Sequence, residues 1–367
     1  MVDGLNPKLS KLCLSSTDCI VDAIALIDRN AQGVALVVDQ GRRLLGVVTD
    51  GDIRRAILAG LDLNLPVQRL LEKKPPTTET PGLTPPHGPI TAPIGTPDAE
   101  LLRLMNRHEV RHIPLVDLDG KVADVALLAE MAKEIELPLT AMIMAGGYGK
   151  RLQPLTDNLP KPMLPVGDKP LMERVIEQLR AAGIRRVNVA THYRREAITS
   201  HFGDGRRFGV EIRYMEEAHP LGTAGAIGQL KASDEPLLVI NGDILTSVDF
   251  RAMLDFHREL GADMTVAVRQ HAFNVPYGVV ETDGVEITGI SEKPVLRHFI
   301  NAGIYLLGPE ACQHIPNDQP FDMPDLITWL LAEGRRVVSF PIHEYWLDIG
   351  QPADYQQAQA DAQKGDV

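Results

Sequence analysis

AGGYGKRLQPLTDNLPKPMLPVGDKPL, residues 145–171, decides how this chain is read. The apolar run TAMIMA (140–145) leads into it and reads as a strand. Gly146, Gly147 and Gly149 follow, then Lys150 and Arg151. Glycines let a backbone turn tightly and present N–H groups to an anion without side-chain clash. Arg151 adds a rigid fork matched to phosphate oxygens. The spacing is neither the G-x-G-x-x-G of a dinucleotide loop nor a phosphate loop closed by G-K-S/T. Pro160 and Pro162 hold Lys161 in an extended segment, where its charge can reach a phosphate. The stretch points to a polyphosphate pocket at the end of a strand.

Toward the C-terminus, RRVNVAT (185–191), VEIRYM (210–215), PLLVING (236–242), DMTVAVR (263–269) and VVSFPI (337–342) read as strands. Helical periods fit 170–182, 195–203, 223–231, 248–260 and 327–334. This alternation predicts an α/β sandwich on a mixed, mostly parallel sheet, with ligands at the C-terminal strand ends. Toward the N-terminus, MAKEIELPL (131–139) runs into Pro138, and the domain boundary is placed there. Residues 1–138 then form one half and 139–367 the other. The first half holds a repeat, with units at about 10–71 and 90–135. Each unit reads helix, strand, turn, strand, helix: VALVVD (34–39) with LLGVVT (44–49), then HIPLVD (112–117) with VADVAL (122–127). Neither unit alone covers its sheet, so the two are expected to pair. Residues 72–97, rich in Pro, Thr and Gly, read as a loop between them, without strand or helix.

With 367 residues, 44% of them hydrophobic, two or three domains with sizeable cores are expected. The formal charge of −12 argues against a nucleic-acid binder that works by phosphate neutralisation. Cys13, Cys19 and Cys312 make neither a disulfide framework nor a four-ligand metal cluster, so a reducing compartment, the cytoplasm, is expected. Apolar runs are far shorter than a membrane span requires, and the N-terminus does not read as a secretory signal.

The 145–171 stretch is similar to the sugar-1-phosphate nucleotidylyltransferases, the NDP-sugar pyrophosphorylases. The family pattern G-G-x-G-[ST]-R-L-x-P-L-T is met except at Lys150, where Ser or Thr is common. The resemblance extends over residues 140–358. It implies a Rossmann-like nucleotidyltransferase domain and the reaction NTP + sugar 1-phosphate giving NDP-sugar and pyrophosphate. It places the backbone of Gly146, Gly147 and Gly149 on the nucleotide, with Lys150 adding charge near the triphosphate. Arg151 would activate the triphosphate and Lys161 would bridge phosphates. HPLGTAGAI (219–227) would set Gly222 and Thr223 beside base and ribose, with Tyr193 facing the base. Asp243 in VINGDIL and Asp348 in EYWLDIGQPADY would hold Mg²⁺, a hard ion that takes carboxylate oxygens. PYGVV (276–280), SEKP (291–294) and NAGIYLL (301–307) would supply Gly278, Glu292, Lys293 and Asn301 to the sugar phosphate. The LGTAGAI form is more similar to guanylyltransferases, which favours GTP over UTP, CTP or dTTP. Such an enzyme would supply nucleotide sugars for surface polysaccharide or glycoconjugate.

The first half looks like a tandem pair of cystathionine-beta-synthase (CBS) domains, on GVVTDGDIRRAI (46–57). That resemblance implies an adenosine nucleotide near Thr49 and Asp52. DVALLAEM (124–131) has no Thr-x-x-Asp, so one such site per chain is expected. The same residues also make sense as an N-cap and a first-turn acid, leaving a scaffold or homo-oligomer role open. A non-catalytic nucleotide sensor on a dead transferase fold is the competing class. The tail AQADAQKGDV (358–367) is expected to fray.

Overall fold

The structure is a computed structural model that describes residues 8–72, 89–108, 110–131, 136–217 and 219–365. The chain divides into two compact units, Met1–Ile135 and Glu136–Val367.

The first unit runs β1 (Cys13–Ser15), α1 (Ile20–Asn30), β2 (Val34–Val38), β3 (Leu44–Thr49), α2 (Asp50–Leu58) and α3 (Gln68–Leu71). It continues with β4 (Ala92–Pro93), α4 (Asp98–His108), β5 (His112–Val116), β6 (Val122–Leu127) and α5 (Leu128–Met131). Two three-stranded sheets result, β1-β2-β3 and β4-β5-β6, with one topology: parallel, then antiparallel. Val34, Leu36 and Val38 pack in one cluster with Val122, Val125 and Leu127, so the halves share apolar surface neither covers alone. Their turns also pair, through Leu44 N–H to the Gly120 carbonyl (3.1 Å) and Val122 N–H to that of Arg42 (3.0 Å). One expectation fails here. Within 72–97, Ala92–Pro93 forms a strand, in register with Leu115 and Val116. The buried Ala92 and a bond from Ile94 N–H to the Val116 carbonyl supply what local pattern lacks. Residues 73–88 of that loop lie outside the described residues.

The second unit opens with β7 (Thr140–Met144), β8 (Pro165–Val166), β9 (Lys169–Pro170), α6 (Leu171–Ala181), β10 (Arg186–Thr191), α7 (Arg195–Phe202) and β11 (Glu211–Glu216). Then come β12 (Leu237–Asn241), β13 (Ile244–Thr246), α8 (Phe250–Glu259), β14 (Met264–Asn274), β15 (Val279–Asp283), β16 (Glu286–Ser291) and β17 (Val295–Leu307). It closes with α9 (Pro309–Gln313), α10 (Met323–Ala332), β18 (Val337–Ile342), β19 (Trp346–Asp348) and α11 (Pro352–Lys364). Seven strands form one mixed sheet in the order β11-β10-β7-β12-β17-β14-β18. β11, β10, β7 and β12 are parallel; β17 is antiparallel to both of its neighbours. This is the expected Rossmann-like arrangement. α6 buries Leu171, Met172, Val175, Ile176 and Leu179, a stripe at helical spacing. α8 starts where Asp249 accepts from the N–H groups of Arg251 and Ala252. No helix among the described residues is long and apolar enough to cross a membrane.

Three local readings are corrected. The helix expected over 223–231 is a 3-10 piece, Gly225–Gln229. Gly225 and Gly228 press directly on the carbonyls of Gln319 and Pro316, a close approach that sets this backbone. The helix expected at 327–334 starts earlier, at Met323, because Asp322 and Asp325 form a capping box. The tail does not fray from residue 358: α11 continues to Lys364. Its small Ala358 is fully buried in a cluster with Leu152, Leu171 and Ile349, a signal too slight to show as hydropathy. The Tyr345 hydroxyl donates to Asp361 (2.9 Å), and the Gln359 amide to the Pro165 carbonyl (2.5 Å). Truncation after Gln351 will therefore lower the thermal midpoint by several degrees. A truncated chain melting with the full chain would contradict the packed helix.

Candidate active site

The site grows from the end of β7. Gly149 has φ 63°, and a β-carbon there would meet Thr156 Cγ2 at 2.9 Å and Lys161 Cβ at 3.3 Å. Only glycine lets the loop fold this closely on its own extension. The Thr156 hydroxyl donates to the Gly149 carbonyl (2.8 Å) and holds the turn. Leu152 is buried beneath it, while Lys150 and Arg151 stay exposed. Lys161 is 9% exposed and donates to Asp243 Oδ2 at 2.5 Å. That bond ties the glycine loop's extension to the end of β12.

Asp243 comes two residues after β12, on a backbone pressed against β7. Gly242 N–H donates to the Met144 carbonyl (2.9 Å), and any β-carbon on Gly242 would sit 2.8 Å from that oxygen. Asp348 arrives from β19, which pairs antiparallel with β13 in the register Ile244 to Asp348. Ile349 N–H donates to the Asp243 carbonyl (3.0 Å). Burial and the charge of Asp243 push the Asp348 carboxyl above the ordinary carboxylate range, while Lys161 and Arg151 pull it back down. Two acids and two bases thus share one electrostatic pocket. Asp243 Oδ1 and Asn241 Oδ1 are buried acceptors without a hydrogen-bond partner among the described residues. An orphaned carboxylate oxygen facing a second acid suits a hard divalent cation, so Asp243 and Asp348 fit Mg²⁺.

Other candidates are spread around this centre. Tyr193 uses its hydroxyl on the carbonyls of Thr156 (3.3 Å) and Asp157 (3.2 Å), which braces the loop extension. Thr223 is bound to Asp322, by its N–H (2.7 Å) and its hydroxyl (3.0 Å), and accepts from Met323 N–H (2.9 Å). Gly222, at φ 81°, has Asp322 Oδ1 2.6 Å from its β-carbon position. The LGTAG segment is therefore clamped to the N-terminus of α10. Asn301 donates to the Tyr305 hydroxyl (2.8 Å) and accepts from Gly303 N–H (3.0 Å); Tyr305 in turn feels the charge of Asp243. Gly278 and Glu292 are neighbours, with Glu292 Oε2 3.0 Å from the glycine's β-carbon position. Lys293 follows in a left-handed conformation, φ 45°. These three lie on the exposed ribbon β14–β17, and no hydrogen bond or ion pair among the described residues joins them to Asp243 or Asp348.

Two site residues escape sequence reasoning. Glu217 is 6% exposed, just after β11, with Oε2 3.1 Å from the β-carbon position of Gly146. Burial pushes its carboxyl above the ordinary range, and its one hydrogen-bond donor among the described residues, Leu221 N–H, is long at 3.4 Å. His192 bonds the Glu217 carbonyl through Nδ1 (2.8 Å), and its Nε2 meets the Tyr148 hydroxyl (2.9 Å). The signal was its place at a strand end just before HPLGTAGAI. Asn241, within VINGD, is the second.

In the first unit Thr49 and Asp52 form a capping box. Asp52 Oδ2 accepts from Thr49 N–H (2.8 Å) and its hydroxyl (2.9 Å), while Asp52 Oδ1 accepts from Arg55 (2.9 Å). Asp50 is bidentate to the fully buried Arg54.

The sequence matches the family described as nucleotidyl transferase over residues 140–365, and CBS domains over 12–59 and 85–136. The chain belongs to the nucleotidyltransferase family, with a CBS pair ahead of the catalytic fold, and is homologous to sugar-1-phosphate nucleotidylyltransferases. It is 34% identical over 233 residues to a mannose-1-phosphate guanylyltransferase of Mycobacterium tuberculosis, covering 61% of this chain and 65% of that one. It is 36% identical over 245 residues to a UTP–glucose-1-phosphate uridylyltransferase of Synechocystis, covering 60% and 62%. The chain thus spans less than two thirds of the length of these curated relatives. A Bacillus anthracis structure assigned as a glucose-1-phosphate thymidylyltransferase, in complex with a sucrose, superposes with a TM-score of 0.51 at 25% identity. That match covers 61% of this chain and 95% of the other.

Millimolar Mg²⁺ is expected to raise the thermal midpoint of the wild-type protein, since a ligand that binds only the folded state stabilises it. Asp243→Asn and Asp348→Asn should each lose most of that rise. An equal rise in both variants would remove the carboxylates from the metal site.

Proposed function

We propose that the second unit transfers a nucleoside monophosphate from an NTP to a sugar 1-phosphate, with release of pyrophosphate. The observation that carries this reading is the Lys161–Asp243 contact, set between the glycine loop and Asp348, with Asp243 Oδ1 unpartnered. A sugar phosphate oxygen attacks the α-phosphorus in line; a P–O bond forms there as the bond to the β-phosphate oxygen breaks. The attacking oxygen is already anionic, so no strong general base is needed. The task is to hold two repelling anions together and neutralise the charge that shifts to the leaving pyrophosphate. Arg151 and Lys161 serve the triphosphate, and the backbone of Gly146, Gly147 and Gly149, with Lys150 beside it, lines its path. Lys293, Glu292, Gly278 and Asn301 serve the sugar phosphate. Mg²⁺ held by Asp243 and Asp348 would supply further charge neutralisation at the phosphates. Burial pushes the Cys13 and Cys312 thiols up to about 12, so neither offers a thiolate nucleophile.

Glu217 favours GTP. A buried carboxylate accepts two parallel N–H donors, which guanine presents on one edge as N1–H and N2–H. Uracil and thymine present one N–H flanked by carbonyl oxygens, which a carboxylate repels. Relatives named for guanylyl and uridylyl transfer are about equally near, so the support for GTP comes from this residue and not from relatedness. Tyr193, Gly222 and Thr223 shape the same pocket by holding its walls.

The capping box at Thr49 and Asp52 favours a scaffold role for that turn, because an adenosine ribose would have to take Asp52 from its present donors. The proposed setting is cytoplasmic supply of nucleotide sugar.

In a matrix of NTPs against sugar 1-phosphates scored by pyrophosphate, GTP with a hexose 1-phosphate will give the highest turnover. Glu217→Gln should lower kcat/KM for GTP about tenfold or more and narrow its lead over UTP. Unchanged base preference in that variant would remove Glu217 from base recognition. Lys293→Ala should raise the KM for sugar phosphate and leave nucleotide affinity intact. If nucleotide affinity falls instead, the two anion roles are wrongly divided. Calorimetry of AMP against the full chain should show no heat that Asp52→Ala removes. One AMP per chain, lost in that variant, would restore the sensor reading.

A further inference from the structure

The parallel strands have a second end, away from the glycine loop. Thr140 of β7, Arg186 of β10 and Glu211 of β11 stand in register there. One strand length, about 17 Å, separates them from the loops that carry Gly146, His192 and Glu217. A cavity of about 460 Å³ opens at this end, wholly within the second unit. That volume is ordinary for a small-molecule site. Its charged lining is Glu136, Arg185, Arg186, Arg206 and Glu211, and no residue assigned to the nucleotide, the metal or the sugar 1-phosphate lines it.

The walls are fixed without a ligand. Glu211 N–H donates to the Arg185 carbonyl (2.7 Å), which joins the two strand starts. Arg206 sits on a turn that begins at Gly205, φ 83°, where a β-carbon would lie 2.6 Å from Ile212 Cγ1 and 2.8 Å from the Val210 carbonyl oxygen. Only glycine fits there. Phe208 N–H donates to the Gly205 carbonyl (2.8 Å), and the Phe208 ring packs on Phe202 with centroids 5.1 Å apart. A preformed wall spares a ligand the cost of ordering it.

The charges suit one chemical class. Three guanidiniums face two carboxylates in a chain whose net charge is −12, so this concavity is basic against the general trend. Arg185 has no ion pair among the described residues; its Nη1 donates to the Arg180 carbonyl (2.5 Å). Arg186 pairs with Glu235 and Arg206 with Asp204 (3.3 Å), and neither acid lines the cavity. Planar forks of this kind match phosphoryl oxygens. Glu211 engages Arg213 through Oε1 alone (2.8 Å), and Glu136 has no ion pair among the described residues. Carboxylates accept hydroxyl hydrogens and repel further phosphate charge. A triphosphate would crowd its charge against Glu136 and Glu211, and a neutral sugar would leave the guanidiniums unused.

We propose that this cavity is a second ligand site, which binds a phosphate monoester of a polyhydroxy compound, with the phosphoryl group on Arg185, Arg186 and Arg206 and hydroxyls on Glu136 and Glu211. The site is separate from the transfer centre and does not depend on the transferase reading.

Calorimetry of glucose 6-phosphate into the full-length Lys293→Ala protein tests this, because that variant weakens the sugar-phosphate site proposed on the other end of the sheet. One molecule per chain will bind, at least tenfold more tightly than glucose or inorganic phosphate. Arg206→Glu and Arg186→Ala, both at exposed positions, should each weaken binding at least tenfold when added to that background. The readout is heat of binding without NTP, so a protein that transfers no nucleotide can still support the site. Absence of heat overturns the inference, and so does binding untouched by the two arginine variants. Inorganic phosphate bound as tightly as glucose 6-phosphate would overturn the assigned ligand class, since the carboxylates would then contribute nothing.

Discussion

Lys161 against Asp243 is the contact on which the arrangement of the site depends. Drawing a lysine out of water costs several kcal/mol, and a close carboxylate offsets that cost only where the backbone fixes both partners. Here both are fixed. Lys161 opens a turn of buried residues, Lys161–Met163. Asp243 follows a glycine pressed on the Met144 carbonyl. The contact therefore joins the strand that feeds the glycine loop to the strand that feeds the acid. It also shields Asp243 from Asp348, whose carboxyl already titrates high through burial and its neighbour's charge. Removing the lysine would leave two acids facing one another, with Arg151 left to balance them.

From that centre the site divides into a rigid side and an extended side. The glycine loop, Tyr193, Glu217 and the LGTAG segment are held by bonds to Thr156, His192 and Asp322, all within the packed sheet and its helices. Gly278, Glu292 and Lys293, proposed for the sugar phosphate, lie within residues 271–299, none of which is buried. Such a division suits a reaction with two anionic substrates: one bound against fixed groups, the other approached by an element with fewer constraints.

Much of this was legible in the sequence. The strand, glycine and proline pattern of 140–171 carries its own geometry, so the sheet and the loop follow from it. The pairing of Asp243 with Asp348 was legible only through family likeness, because 105 positions separate them and the antiparallel register Ile244 to Asp348 that joins them leaves no local trace. Glu217 escapes sequence reading because an acid at a strand end is ordinarily solvated; its burial against Gly146 is a product of packing. Tyr193 and Thr223, expected beside the base, have their hydroxyls bound to backbone carbonyls and to Asp322. A side chain's partner depends on elements far away in sequence, and pattern alone does not carry it. The same holds for α11, whose alanines gave no hydropathy signal yet pack on Leu171 and Ile349. In the first unit the Thr49–Asp52 spacing was read for both uses, a ligand and a cap, and the bonds observed are those of the cap.

The central claim is direct transfer of a nucleotidyl group to a sugar phosphate. Phosphorus NMR of the full-length protein with GTP, Mg²⁺ and mannose 1-phosphate tests it most directly. The account predicts that the sugar phosphate resonance disappears as the paired resonances of an unsymmetrical diphosphate and the single line of pyrophosphate grow in equal amounts. Unchanged spectra across every NTP and sugar 1-phosphate, with a folded protein, would contradict it, as would appearance of inorganic phosphate and GDP in place of pyrophosphate.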